Sequence, residues 1–486
     1  MLNCMKIKNP KHIIIFSYLL TALPFTLFAQ IEHNMLLERQ MLIHKYDWES
    51  THTRNVADML IEEAFEDSGN YIRPGVQADI FWQNAAIDPS WNYNDKLNYT
   101  LVPVIYGRGT KDLSFYVSFM AQNGKYDIID SRKRYLGETQ AGHRGDFEIS
   151  KIQYETEHFY VKFGRDYFMP GMYFHESMLF SRYQYPYDQI HLAYRNKWLE
   201  VSSYYLRLND KTYGGERYLR HLNGHRVSFN LFDQGYIALN EYILYQGVQR
   251  PVNPALFNPL LIYYLYQRNE NVGGTNSMMS LDFFYHIDRI FIHGEFIMDD
   301  FMTEREVYSD LEPNKFGFNV TAGMKDIFPG FHANINYTRI ANRVYATGNT
   351  GGLIEYLVHE NLPIGHYMGS NLWEIKSSIS YIKPKYQGEL QFIYRRSGDD
   401  VVYSPYNIDH YQGHAGNDPL EPGAEWNEPF PYVSDGGEPS VFWGFKVDNY
   451  YQIIDHFGVN LKASYWIEKG MLSSKFNVAF GVYTDF

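Results

Sequence analysis

The sequence predicts an all-β fold, a transmembrane antiparallel β-barrel of about 18 strands with a short N-terminal helical segment at its periplasmic end. Three observations carry this expectation. Apolar residues beyond Gly75 recur with a period of two. Aromatic residues make up 17% of the chain, with 44 Tyr and 33 Phe, while mean hydropathy is −0.40. The links between candidate strands alternate between short and long.

The alternation is clear in several places. In 331–338, Phe331, Ala333, Ile335 and Tyr337 alternate with His332, Asn334, Asn336 and Thr338. In 226–231, Val227, Phe229 and Leu231 alternate with Arg226, Ser228 and Asn230. In 386–395, Leu390, Phe392 and Tyr394 oppose Gln387, Glu389, Gln391 and Arg395. Such segments suit strands with one face to lipid and the other to a polar lumen.

Candidate strands lie at 76–84, 97–106, 113–122, 147–154, 157–165, 187–196, 198–207, 222–232 and 235–246. They continue at 278–286, 289–298, 316–324, 331–340, 372–382, 386–396, 440–452, 457–467 and 475–486. A usual length of about ten residues fits a tilted membrane strand. Short links fall at 107–112, 155–156, 197, 233–234, 287–288, 325–330, 383–385 and 453–456. Most links between these are long, at 123–146, 166–186, 208–221, 247–277, 299–315, 341–371 and 397–439. A bacterial barrel sorts its loops this way, with tight periplasmic turns and elaborate external loops. A soluble sandwich has no reason to do so. An even strand number brings both ends of the barrel to the periplasm.

The last strand carries Phe476, Val478, Phe480 and Val482 on one face and ends at Phe486. That pattern resembles the signal read by the outer-membrane barrel assembly machinery, although Thr484 stands where an aromatic is commoner.

The N-terminus divides from the barrel. Residues 1–29 have the parts of a cleaved signal peptide: Lys6, Lys8, Lys11 and His12, then an apolar run over 13–28, then small Ala29. Cys4, the sole cysteine, lies within it, so a mature chain has no disulfide and no thiolate ligand. Residues 30–74 form the expected periplasmic segment, a plug or cap. Within 31–67, Met35, Leu36, Met41, Leu42, Val56, Met59, Leu60 and Ile61 recur at near-helical spacing. Residues 75–486 form the expected barrel. No later stretch holds 18 consecutive apolar residues, so no helix is expected to span a bilayer. Loss of the three signal lysines takes the formal charge from −13 to −16, a poor match for nucleic acid.

Several stretches together resemble the capsule-assembly Wzi family of outer-membrane proteins. The first is Phe163-Gly-Arg-Asp-Tyr-Phe-Met-Pro-Gly171, followed by Leu179-Phe-Ser181 and Tyr185-Pro-Tyr-Asp188. The second is Arg220-His-Leu-Asn-Gly-His-Arg226, then Ala238-Leu-Asn-Glu241 and Tyr245. The third runs from Asn258-Pro259 through 269–276 and Leu281-Asp282 to Gly294-Glu-Phe-Ile-Met-Asp-Asp300. Met169-Pro-Gly171 departs from the pattern, where Trp-Gly-Pro-Gly is expected. Over 157–301 the resemblance covers order and spacing; elsewhere it covers architecture. It implies an 18-stranded outer-membrane barrel closed by an N-terminal helical segment. It also implies a lectin-like role, attaching capsular or extracellular polysaccharide at the surface of a Gram-negative cell.

Within the matched region, Arg165, Arg226, Glu241, Asp299 and Asp300 are expected to form a polar network facing the lumen. Such pairs either rigidify the lumen or form an ion or sugar site. The loop 397–439 is the candidate glycan surface. Tyr403, Tyr406 and Trp426 offer flat rings for the C–H faces of sugars, while Asp409 and His410 offer hydrogen bonds. Trp91 in the first external loop is a further candidate. Ordinary loop packing and the aromatic girdle of a barrel are the bland alternative. Asp409, His410, His414 and Asp418 have unremarkable spacing for a metal site, and no metal or other cofactor is expected. No Gly-x-Ser-x-Gly or His-Glu-x-x-His motif occurs, and His175-Glu176-Ser177 is a weak nucleophile candidate, so an enzyme is not expected. The alternative reading is an outer-membrane porin or selective diffusion channel, which needs an open lumen.

Overall fold

The computed structural model describes residues 71–83, 91–93, 98–123, 126–128, 132–133, 139–140, 143–171, 177–181, 184–232, 234–269 and 274–300. It also describes 314–342, 344–345, 357–360, 362–398, 431, 437–454, 457–469 and 475–485. The expected signal peptide and the helical segment at 31–67 lie outside these residues.

Among the described residues, eighteen long strands follow one another in chain order. They are β1 (Tyr71–Gln83), β2 (Asn98–Thr110), β3 (Leu113–Asn123), β4 (His143–Glu155), β5 (Phe159–Asp166) and β6 (Tyr187–Arg195). Next come β7 (Leu199–Tyr213), β8 (Glu216–Asn230), β9 (Gly235–Val248), β10 (Thr275–Ile287), β11 (Ile290–Asp300) and β12 (Lys315–Phe328). The last are β13 (Phe331–Ile340), β14 (Leu372–Lys383), β15 (Tyr386–Ser397), β16 (Ser440–Ile454), β17 (Phe457–Glu468) and β18 (Lys475–Asp485). Each pairs antiparallel with its sequence neighbours. The sheet closes where β1 pairs with β18, from Gln77↔Asp485 to Gln83↔Ala479. Closure leaves no edge strand with unpaired backbone, which is what a strand-built membrane protein requires. Each expected strand is found, and the barrel is antiparallel throughout.

The first strand begins at Tyr71, ahead of the expected boundary at 74/75. Tyr71 pairs with Arg108, and its ring meets that of Tyr106 edge-on at 6.4 Å. A larger difference lies at 208–221, expected as a long loop. There β7 and β8 continue as a paired ribbon through Thr212↔Arg217 and Tyr213↔Glu216. The ribbon turns on Gly214 and Gly215, both at positive φ. Arg207 and Arg217 flank Asp210 and hold the ribbon together.

Side-chain phase separates the two faces. Phe159, Val161, Phe163, Leu239, Phe445 and Phe480 are exposed on the outer wall, where lipid replaces water. The inner wall carries Lys162, Asn240, Glu295, Asn336, Ser380 and Asn460, all buried. Trp373 and Tyr394 meet at 5.0 Å, and Tyr394 and Trp443 at 4.5 Å, forming an aromatic arc on the outer wall of β14–β16. Among the described residues no helix is long and apolar enough to cross a membrane. The one α-helix among them, α1 (Tyr263–Asn269), belongs to the external link between β9 and β10.

Candidate functional site

The external mouth of the barrel is where the described loops converge. The link after β5 enters the barrel and places Phe168, Met178, Leu179 and Phe180 against the inner wall. Phe168 packs on Tyr204 at 4.4 Å and edge-on to Phe180 at 4.8 Å, and Phe180 meets Tyr242 at 5.5 Å. Tyr204, Leu206, Leu222, Tyr242 and Leu244 hold the inward phase of β7–β9, so the sequence supplies an apolar patch there. The link 341–371 joins the same cluster through Val344, Tyr345, Leu357, Val358 and Ile364. The two links also bond to each other. Tyr345 Oη donates to Met178 O at 2.7 Å, and Ser181 N donates to Ile364 O at 2.6 Å. A barrel wall that is polar below and apolar at the mouth accommodates such a fill by ordinary hydrophobic burial.

Charged side chains on the wall fix this fill. Glu295 of β11 accepts from Met178 N at 2.7 Å, Leu179 N at 3.0 Å and Ser177 Oγ at 3.0 Å. Asp299 accepts from Tyr345 N at 2.7 Å. Arg220, fully buried, donates to Val358 O at 3.0 Å. Arg395 donates to Tyr367 Oη at 2.5 Å and to Glu374 at 2.7 Å, with Lys376 3.0 Å from the same carboxylate. Tyr187 stacks on His359 at 4.7 Å, and burial pushes the His359 imidazolium down to about 3. Unpaired, these buried charges would be costly; paired with backbone and side-chain groups, they set the position of the links.

A second polar cluster lines the wall of β4 and β5. Asp166 Oδ2 lies 2.8 Å from Lys162 Nζ and 3.1 Å from Lys151 Nζ, all three buried. Nearby, Tyr167 Oη donates to Glu148 at 2.8 Å. On β8–β10, Arg226 Nη2 donates to Asp282 at 2.8 Å, and Asn240 Nδ2 donates to the other oxygen of Asp282 at 2.7 Å.

The expected lumen network is therefore divided. Arg226 and Asp299 are buried on the inward phase of their strands. Arg165 is not. It shares the phase of Phe159, Val161 and Phe163 on the outer wall, where it bonds Asp188 at 2.8 Å and Asp146 at 3.3 Å. Glu241 shares the outward phase of Ile237 and Leu239 and accepts from Tyr263 N at 2.7 Å and Tyr264 N at 2.6 Å. Both follow the alternation of their own strands, Arg165 in step with Phe163 and Glu241 with Leu239. The side chain of Asp300 lies outside the described residues.

The five residues Glu295, Asp282, Lys162, Arg220 and Arg395 were missed. Their inward direction follows strand alternation, but the partners each one meets are set by the closed barrel. Ser177 is accounted for by its bond to Glu295, while His175 and Glu176 lie outside the described residues. So do Tyr403, Tyr406, Asp409, His410, His414, Asp418 and Trp426. Trp91 opens a short strand, Trp91–Tyr93, that pairs with Tyr126–Ile128 of the next external link. Its side chain is outside the described residues.

No protein-family model matches this chain, and no curated protein matches it. Solved structures do. Wzi of Escherichia coli, an outer-membrane protein involved in group 1 capsule assembly and a carbohydrate-binding β-barrel, is similar with a TM-score of 0.56 at 10% identity, over 93% of this chain and 98% of that one. OccD3 (OpdP) of Pseudomonas aeruginosa gives a TM-score of 0.48 at 10% identity, over 86% and 93%. OpdK of Pseudomonas aeruginosa gives 0.48 at 8% identity, over 86% and 99%. The likeness to Wzi at this identity bears on fold alone, and with the closed 18-strand sheet it makes this chain an outer-membrane β-barrel.

Proposed function

We propose that this chain is a non-enzymatic glycan-attachment barrel, holding capsular or extracellular polysaccharide at the surface of a Gram-negative cell. The observation that supports this reading is the packed fill of the external mouth. Two external links meet there in an apolar cluster and are clamped by Glu295, Asp299, Arg220 and Arg395. A barrel whose task is retention can be blocked, whereas a channel must keep a path for solute. The resemblance of 157–301 to the Wzi family points the same way, and the carbohydrate-binding β-barrel Wzi has a similar fold.

The polysaccharide-binding surface in this reading is the loop 397–439, with stacking by Tyr403, Tyr406 and Trp426. Replacing these three with Ala in the producing cell tests it. Polysaccharide should be released to the medium while the amount of folded barrel is unchanged. Unchanged retention would remove this loop from the account.

The second reading is a diffusion channel. It is favoured by the charged inner wall of β16 and β17, where Lys446 and Lys462 flank Asp448 at 3.7 and 4.0 Å. Steady single-channel conductance of the purified protein, without polysaccharide binding, would select it.

A further inference from the structure

The described part of the external link after β9 does not extend from the barrel. That part, 249–269, folds back over the outside of β7–β9. Leu256 and Tyr263 pack with Ile243 and Tyr245, which hold the outward phase of β9. Wall side chains secure the fold-back: Ser203 Oγ donates to Phe257 O at 3.3 Å, and Asn223 Nδ2 donates to Leu256 O at 3.3 Å. Glu241 holds the first turn of α1, as described above. His221 Nε2 lies 2.9 Å from Arg250 O. The outer wall here is thus built of Ser203, His221, Asn223, His225 and Glu241, side chains that lipid would not solvate.

The level of this patch is set by the strands. Glu241 stands six residues beyond the start of β9, which is about 15 Å of height for a strand rising about 3.3 Å per residue and tilted by roughly 40°. Trp373, in the aromatic arc across the barrel, stands ten residues from the short turn that ends β14, or about 25 Å on the same basis. The folded-back segment therefore starts well below the upper edge of the apolar band. Below it the same strands expose Phe229, Ile237 and Leu239. The segment's own outer surface is apolar: Leu260 is 83% exposed, Ile262 50% and Leu265 49%.

We propose that 249–269 is a membrane-embedded wall element, lying in the outer leaflet with Leu260, Ile262 and Leu265 among lipid acyl chains. It continues the lipid-facing belt of β7–β9 upward and screens the polar side chains beneath it. Its partner is the acyl region of the outer leaflet, chosen because the exposed apolar surface is continuous with the belt below. An aqueous or protein partner would leave that belt interrupted at mid-height.

The test uses the full-length protein with Cys4→Ser and a single Leu260→Cys or Leu265→Cys, labelled with an environment-sensitive fluorophore and reconstituted into phospholipid vesicles. Leu239→Cys serves as the lipid reference and Gly214→Cys as the aqueous one. Heat-modifiable mobility on gels verifies that each barrel is folded; the two test positions are exposed. Labels at 260 and 265 should be quenched by acyl-chain nitroxide lipids to within about twofold of the label at 239, and should resist iodide. Quenching by iodide like the label at 214, with no effect of nitroxide lipid, would overturn the proposal. Resistance to both quenchers would also overturn it, by showing the face covered by protein.

Discussion

The Glu295 carboxylate on the inner wall and the backbone N–H of Met178 meet at 2.7 Å, tying an external link to the strand that faces it. The same carboxylate accepts from Leu179 N and Ser177 Oγ. Glu295→Ala would leave the buried Met178 N–H without its acceptor and Leu179 N with only Ser177 Oγ at 3.2 Å, a loss of about 1–3 kcal/mol. It should lower the thermal midpoint of the folded band on gels and admit external protease to 177–181. Glu295→Gln keeps an acceptor and should lose less. Equal effects of the two variants would deny that hydrogen bonding is what fixes this link.

Gly365 marks the contact between the two links. A Cβ there would lie 2.3 Å from the Tyr345 ring and 2.5 Å from Met178 O, and the second of these is backbone that cannot move aside cheaply. Gly365→Ala should separate the links and raise ion conductance in planar bilayers without loss of the folded band. Wild-type conductance in this variant would mean that the packed mouth does not limit passage.

Arg165 and Arg226 make a controlled pair. Arg165 is partly exposed on the outer wall with Asp188, so Arg165→Ala should cost less than the loss of a fully buried partner. Arg226 is buried with Asp282, so Arg226→Ala should cost about 3–5 kcal/mol by stranding the carboxylate. Urea midpoints in detergent measure both. Similar losses would contradict the assignment of these residues to opposite faces.

How far the sequence could be read follows from the same residues. Strand order and the sorting of turns were legible because period two and loop length are local properties. The face of Arg165 was also legible, since Phe159, Val161 and Phe163 share its phase. Glu241 was harder. Its phase placed it toward lipid, an unacceptable site for a carboxylate, and the reason it is tolerated lies in Tyr263 and Tyr264, more than twenty residues away. The clamps at Glu295, Arg220 and Arg395 were illegible for the same reason: their partners are the hydroxyl of Ser177, backbone groups of Met178, Leu179 and Val358, and the phenol of Tyr367, brought near by closure of the barrel. The ribbon at 208–221 was misread because composition alone cannot separate a charged loop from a strand standing in water.

His359 gives the account a pH dependence. Its ordinary value near 6.5 falls to about 3 on burial, so the folded link holds the neutral ring and the released link binds a proton more readily. Its contribution is complete above about 6.5 and is lost as pH falls from there toward 3. External protease should therefore reach 357–360 faster at pH 4.5 than at pH 7.5, and His359→Gln should flatten that difference. Protection that does not change with pH in the wild type would contradict the burial of a neutral ring.

The most direct measurement for the account as a whole is binding of the purified, detergent-solubilised protein to polysaccharide extracted from its own host. The account predicts saturable binding that is lost when Tyr403, Tyr406 and Trp426 are replaced with Ala. No binding, with steady open-channel conductance from the same preparation, would contradict it and make the barrel a channel.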